Sequence, residues 1–415
     1  MLAEYFKSPS RVMELQSRPG GSLLVEFAHA LSRSGYSNNA GGCHIRAAEH
    51  FLYWAHREGI SVTTFSDVTF EQFAAHLDGC QCYGLRRSSQ VKTLYSVQLF
   101  RDIGVGLERT ARSVLEIVSS GNELFPAFCQ WMRQYRGTSE LTLYNYGNSL
   151  KSLLKVIGND PSKLDAPQLR QFILDQSDLK GSKAAQRCTT ALRMFIRFLI
   201  AEGKCSNSLQ EAVPAVAQWR LSSLPKYLQT DEIESIIASC NLQLPVGIRD
   251  RAILLLLARL GLRAGDVLRL RISDIDWKGA SIAVTGKGRR QTLLPLTQEV
   301  GQAIVDYLQQ ARPKGSDDTL FMRSRAPFRA FASHCAISVI VERAMSRSGI
   351  SCPSRCAAHL FRHSAATSML RNGASLQEIA AVLRHRSIET TQIYAKVDIT
   401  TLRQVAQPWP GEQLC

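Results

Sequence analysis

Apolar residues recur at helical spacing through most of the chain. In the first 110 residues, LLVEFAHALSRSG, HIRAAEHFLYWAHREG, TFEQFAAHL and SSQVKTLYSVQLFRDIG each carry one apolar stripe. Ser37-Asn38-Asn39 and Gly41-Gly42 separate the first from the second. The plan returns over 122–204 as LFPAFCQWMRQYRG, TLYNYGNSLKSLLKVIG, APQLRQFILDQ and SKAAQRCTTALRMFIRFLIAEGK. At an offset of about 100 residues, Phe27 falls on Phe128, and Gln72-Phe73 falls near Gln171-Phe172. Two readings fit: a duplicated four-helix unit, or the general likeness of amphipathic helices of similar length.

Pro214 and Pro225 bracket a polar, serine-bearing stretch, and 205–228 reads as a linker between domains. Thr230 then offers an N-cap, with Asp231 and Glu232 in the first turn where the helix dipole favours acids. RDRAILLLLARLG is apolar on nearly all sides, which predicts a core helix ending at Gly261. Residues 281–285 and 291–296 alternate as two strands about a Gly286-Lys287-Gly288 turn, and 272–277 is a candidate third strand. The remainder is helical, through TQEVGQAIVDYLQQA and RAFASHCAISVIVERAMSRSG to the stretch from His359 to Tyr394. There Leu360, Ala365, Met369 and Leu370 form one stripe, and Leu376, Ile379, Ala380 and Leu383 form another beyond Asn372-Gly373. The expected fold class is mainly α with a small β-sheet. The expected domains are a helical extension over 1–112, a helical domain over 113–220 and a mixed α+β domain over 221–415.

Charge narrows the partner. A formal +15 on 415 residues, with a pI near 9.5, points to a polyanion, nucleic acid before anionic membrane. The longest strongly apolar run, AILLLLA, falls far short of the roughly 20 residues a membrane span needs. The N-terminus, MLAEYFKSPS, has no apolar signal region. Eleven scattered cysteines fit reduced thiols in a cytosol rather than a disulfide framework. Two groups, His76 with Cys80 and Cys82, and Cys352 with Cys356 and His359, lack the doubled Cys-x-x-Cys spacing of zinc sites and read as small buried thiols. No metal and no cofactor are therefore expected, and the location is expected to be the cytoplasm, on the nucleoid. The basic residues of 122–204, among them Arg133, Lys151, Lys155, Arg187 and Arg193, suit phosphate contacts that set position rather than sequence.

Arg263, Lys287, His359, Arg362, His385 and Tyr394 stand in order over about 130 residues. Two arginines offer forked, permanently charged donors for a phosphate's non-bridging oxygens. A hairpin-tip lysine can protonate a leaving oxygen, histidines can bond a phosphate or shuttle a proton, and a tyrosine can attack phosphorus. No acidic cluster suited to magnesium accompanies them, so charge neutralisation falls to the arginines.

This set resembles the tyrosine recombinases, the phage-integrase and Xer-type enzymes. The likeness rests on Gly261-Leu262-Arg263 after an apolar helix and Lys287 in a GKG hairpin. It rests equally on the box His359-Leu360-Phe361-Arg362-His363, on His385, and on Tyr394 closing a TTQIY stretch. The resemblance spans 225–405 and, as a SAM-like core-binding domain, 122–205. It implies that Tyr394 attacks the scissile phosphate to give a 3′-phosphotyrosyl link and a free 5′-hydroxyl. Arg263 and Arg362 would hold the phosphate, Lys287 would act as general acid, His359 would position the phosphate, and His385 would support it. Asp266 matches the family's acidic residue that orients an arginine or histidine, and His363 is read as structural. The implied partners are double-stranded DNA and a tetramer on it, of this chain or with a related recombinase, with no membrane. The two later domains would close on the duplex as a clamp, and 397–405 would be exchanged between neighbours. Mobile-element integration, transposition or resolution is the implied role. A type IB topoisomerase-like relaxing enzyme and a non-catalytic DNA-binding relative are the alternatives. One departure has no account: Arg384 stands where the family usually has glycine.

Overall fold

The computed structural model describes residues 1–61, 67–82, 89–104, 123–216, 224–286, 291–314, 317–352, 357–385, 387–397 and 402–403. Lys287, Cys356 and most of 397–405 lie outside the described residues. Among the described residues the chain is mainly helical with one three-stranded sheet, the expected class. It divides into two compact units, Met1–Leu107 with Leu221–Cys415, and Glu108–Arg220.

In the first unit, the N-terminal helices Pro9–Ser17, Gly21–Arg33, Asn38–Arg57, Asp67–Asp78 and Gln90–Leu99 follow the apolar stripes. Ser8 and Ser37 cap two of them, each accepting from an amide in the first turn. Phe27 meets Phe100, and Phe51 meets Phe73, edge-on with centroids 5.0 Å apart in both pairs. Glu49 is buried in this bundle and is held by Arg11 and Arg18, which supply the charge its burial requires. The bundle joins the C-terminal part of its unit through the Phe328 amide, which donates to Ser34 O at 3.1 Å. Gly35 beside it has φ +78°, and a Cβ there would lie 2.2 Å from the Phe328 ring, so only glycine fits.

The second unit holds the helices Leu124–Arg136, Glu140–Ile157, Ala166–Lys180 and Ser182–Ala201. Asp165 Oδ1 accepts from Gln168 N at 2.8 Å and starts the third of them. Phe125, Phe128, Phe195 and Phe198 fill its core. Phe128 is as fully buried here as Phe27 is in the N-terminal bundle. Past Asn207 the chain makes a short turn, Ser208–Glu211, and Val213 drops into this same core. Arg193 donates to the carbonyls of Val213 and Pro214 at 3.4 Å each. The opening of the stretch expected as a linker is thus part of the second unit.

The C-terminal part of the first unit wraps Pro245–Arg259, whose residues Ile253 to Leu257 are wholly buried as its unbroken apolar run requires. The preceding helix runs Thr230–Ala238 with Gln229, not Thr230, as its N-cap. Glu232 reaches back and accepts from Gln229 N at 2.8 Å, which fixes the start one residue earlier. The sheet has order β1-β2-β3, all antiparallel: β1 Ile275–Asp276, β2 Ser281–Thr285 and β3 Gln291–Pro295. The first strand is shorter than the sequence suggested because Ile272–Asp274 coils into a 3-10 turn, with Asp274 Oδ2 accepting from Arg271 N at 2.9 Å. Ile282, Val284 and Leu294 face the core, and Thr285 pairs with Gln291 where the hairpin turns. Ala357–Arg371 and Leu376–Leu383 follow, then the 3-10 turns Ile388–Thr390 and Gln392–Val397. Ala366, Ile379, Leu383 and Tyr394 make a small apolar cluster of their own.

Candidate active site

Gly261 takes φ +58°, which turns the chain sharply after the core helix and delivers Arg263 as N-cap of the helix Ala264–Arg269. A Cβ at Gly261 would lie 2.7 Å from Leu383 Cδ2, so the turn also needs glycine for close approach. Arg362, 2% exposed, reaches into this junction from the Ala357–Arg371 helix. Its Nη1 donates to Gly261 O at 2.6 Å, and its Nη2 donates to Leu383 O. One guanidinium therefore ties the Gly261 turn to the end of the Leu376–Leu383 helix.

A second tie runs beside it. Arg263 Nη2 donates to Arg384 O at 3.5 Å, and Arg384 Nη2 donates to Asp266 Oδ2 at 2.7 Å. Asp266 is buried and also accepts from Arg269 at 2.9 Å and from the Arg263 amide at 3.3 Å. Three arginines, Arg263, Arg269 and Arg384, thus surround one carboxylate, leaving a net positive site suited to attract a phosphate. Burial lowers the pKa of Arg263 and of Arg362, and each is further lowered by a neighbouring guanidinium. Both side chains nevertheless keep their charge, because a guanidinium does not deprotonate in proteins.

His359 and His363 stand one turn apart on the same helix, with ring centroids 5.3 Å apart and edge-on. His359 is exposed. The protein around it still displaces enough water to lower its pKa, and Arg362 and Arg263 lower it further. His363 is half-buried, and its Nδ1 lies 3.0 Å from the Tyr394 phenol oxygen. Burial, then the charges of His359 and Arg362, push its pKa down to about 4. His385 Nδ1 lies 2.7 Å from the hydroxyl of the buried Thr391, and burial, then Arg362 and Arg263, push its pKa to about 4 as well. Both rings are neutral near pH 7 and can accept a proton.

Tyr394 is 1% exposed and is set by Tyr394 N donating to Thr391 O at 3.0 Å. Burial raises its pKa, while the charges of Arg362 and Arg263 act in the opposite sense. The phenol thus lies within the field of both arginines and touches a neutral imidazole. Of the residues singled out from sequence, Arg263, Asp266, His359, Arg362, His385 and Tyr394 come together. Lys287 lies outside the described residues, beyond the ends of β2 and β3.

From the sequence His363 is expected to be structural, and Thr391 and Arg384 carry no expected role. His363 carried a signal, its helical spacing of four from His359. Thr391 lies within the stretch that closes on Tyr394. Arg384 carried only its departure from glycine.

Residues 226–400 match the Phage integrase family. The integrase/recombinase-class protein y4rA of Sinorhizobium fredii (strain NBRC 101917 / NGR234) is 34% identical over 405 residues, covering 95% of each chain. Tyrosine recombinase XerD of Listeria innocua is 29% identical over 297 residues, 68% of this chain and 97% of that one. Among solved structures, the XerH site-specific recombinase bound to a palindromic difH substrate aligns with a TM-score of 0.53 at 18% identity. That alignment covers 89% of this chain and 96% of XerH.

Proposed function

This chain belongs to the phage integrase family of tyrosine recombinases, DNA strand-transferring enzymes, and we propose that it cuts and rejoins DNA through a covalent bond at Tyr394. The observation that carries the proposal is the phenol itself, buried, 3.0 Å from His363 Nδ1 and within the field of Arg263 and Arg362.

The Tyr394 oxygen attacks phosphorus and the P–O5′ bond breaks, leaving a 3′-phosphotyrosyl end. Arg263 and Arg362 bind the non-bridging oxygens and stabilise the charge that accumulates on them in the pentacoordinate transition state. Arg362 is suited to this because two main-chain carbonyls already fix its plane, so little reorganisation accompanies the reaction. His363, neutral, takes the phenol's proton. His359 faces the incoming phosphate, and Thr391 orients His385 as a donor to it. Lys287 supplies the proton to the departing 5′-oxygen, a role that rests on the family resemblance. The phosphotyrosine conserves the energy of the broken bond, so rejoining requires no nucleotide.

The exposed Arg136, Lys151, Lys155, Lys183 and Arg187 of the second unit contact the DNA backbone. The N-terminal bundle is a second copy of that unit's four-helix plan, on the support of matching helix order and the buried pair Phe27 and Phe128. Exchange between two duplexes cuts four strands with one tyrosine each, so four protomers act together on DNA. The enzyme works in the cytoplasm on a mobile element's DNA.

A plasmid carrying two copies of the cognate site tests this reading. Deletion or inversion between the sites is the expected product. Relaxation of supercoils on a plasmid with no site, without exchange, would establish the topoisomerase class instead.

A further inference from the structure

Away from this centre, the N-terminal bundle gathers two histidines and two cysteines. His50 comes from the helix Asn38–Arg57, His76 from the last turn of Asp67–Asp78, and Cys80 and Cys82 from the segment after it. His50 Nε2 lies 3.3 Å from Cys80 Sγ, and His76 Nε2 lies 3.5 Å from Cys82 Sγ. All four ligand atoms fall within 4.8 Å of one another, the one such group of three or more among the described residues. A tetrahedral zinc ion, with bonds of about 2.3 Å to sulfur and about 2.0 Å to nitrogen, sets its ligand atoms roughly 3.3–3.8 Å apart. We propose that His50, His76, Cys80 and Cys82 bind one Zn²⁺ in a closed, structural Cys2His2 site.

The surroundings suit that ion. His50, Cys80 and Cys82 are 4%, 4% and 9% exposed, and the two sulfurs form a pair apart from the apolar core of the bundle. Two thiolates and a dication sum to zero charge, so the loaded site is neutral where burial would penalise a charge. The Cys82 amide donates to Cys80 Sγ at 3.5 Å and helps to fix the sulfur's position. Both histidines present Nε2 to the sulfurs, and Phe73 and Trp54 pack against their rings. Four protein ligands leave no open position for substrate, which marks a structural rather than a catalytic ion. The ion would tie the fold of two helices and the following segment together. Three of the four residues stand together in the sequence and read there as buried thiols, whereas His50 lies 30 residues before Cys80 and only the fold brings it to them.

Without a metal, the same four groups would be two thiol–imidazole hydrogen bonds, and metal content separates the two cases. The full chain, purified without a histidine tag, is analysed for zinc by mass spectrometry. About one zinc per chain is expected in the wild type and in Cys43→Ser, which alters an exposed cysteine. At least a fivefold loss is expected in His50→Asn, His76→Asn, Cys80→Ser and Cys82→Ser. Cobalt exchange into the wild type, which needs no variant to fold, should give the visible spectrum of tetrahedral Co²⁺ with thiolate charge-transfer bands. A wild type that holds no zinc and gives no such spectrum would overturn the proposal, as would full zinc retention in Cys82→Ser.

Discussion

Arg384 donates to Asp266 Oδ2 at 2.7 Å, with the two side chains 7% and 2% exposed. Arg384 also holds φ +55°, the left-handed conformation at the end of the Leu376–Leu383 helix. That conformation is one glycine adopts without strain, and the ion pair is what the arginine gains in exchange. Leaving a buried carboxylate without its partner costs about 3–5 kcal/mol, and glycine would recover roughly 1 kcal/mol of backbone strain. Asp266 keeps Arg269 and the Arg263 amide, so Arg384→Gly should destabilise the protein by about 2 kcal/mol. A double-mutant cycle with Asp266→Asn, read by urea unfolding, should give a coupling of roughly 1–3 kcal/mol. Additive effects would show that the pair contributes nothing.

Gly261 bears two demands, a left-handed backbone and the approach of Leu383, and its carbonyl also anchors Arg362. Gly261→Ala should therefore cost about 1–3 kcal/mol of stability. Recombination should fall at least tenfold under conditions where the variant is still folded, because Arg362 loses its alignment. Wild-type strand exchange by a folded Gly261→Ala protein would contradict that link.

The acid response follows from the histidines. His363 and His385 each have a folded pKa of about 4, against about 6.5 when unfolded. Between those values the unfolded chain binds more protons, so stability is fully present above about pH 6.5 and is lost as pH falls toward about 4. For His363 the loss should be on the order of 2 kcal/mol, allowing for its part exposure. Unfolding midpoints measured from pH 7.5 to 4.5 should fall less steeply in His363→Asn than in the wild type. Parallel curves would show that His363 is not held neutral.

The basic residues of the second unit divide by what they already hold. Arg193 donates to two carbonyls, and Arg133 pairs with Glu140 at 2.7 Å, whereas Lys151 and Lys155 are exposed. Arg193→Ala should lower stability by about 1 kcal/mol with little change in DNA affinity. Lys151→Glu with Lys155→Glu should weaken DNA binding and flatten its salt dependence by roughly 1 in slope per lost phosphate contact. Fluorescence anisotropy against salt concentration measures both, and an unaltered slope in the double variant would remove these lysines from the interface.

What could be read from the sequence was what lies close along it. The Gly261-Leu262-Arg263 turn, the His359 to His363 box and the β2–β3 hairpin each sit within a few residues, so local spacing carries their geometry. The same holds for the core helix, where an unbroken apolar run left no exposed face. Arg384 and Asp266 are 118 residues apart, and nothing in either segment names the other. His363 looked like packing because a histidine beside an arginine has many uses, and only the fold brings Tyr394 to it, 31 residues on. Stripe patterns identify helices, but which bundle a third segment docks on depends on complementary surfaces such as Gly35 against Phe328.

The role of Tyr394 is tested most directly in cells expressing the full chain. Covalent protein–DNA complexes are trapped by rapid denaturation, and the attached DNA ends are sequenced. The wild type should yield adducts joined through Tyr394 to the 3′-phosphate of one recurring DNA site, identified by mass spectrometry of the nucleotide-bearing peptide. Tyr394→Phe should bind that site yet yield no adduct. An adduct that persists in Tyr394→Phe, or one mapped to another residue, would contradict the assignment of Tyr394 as nucleophile.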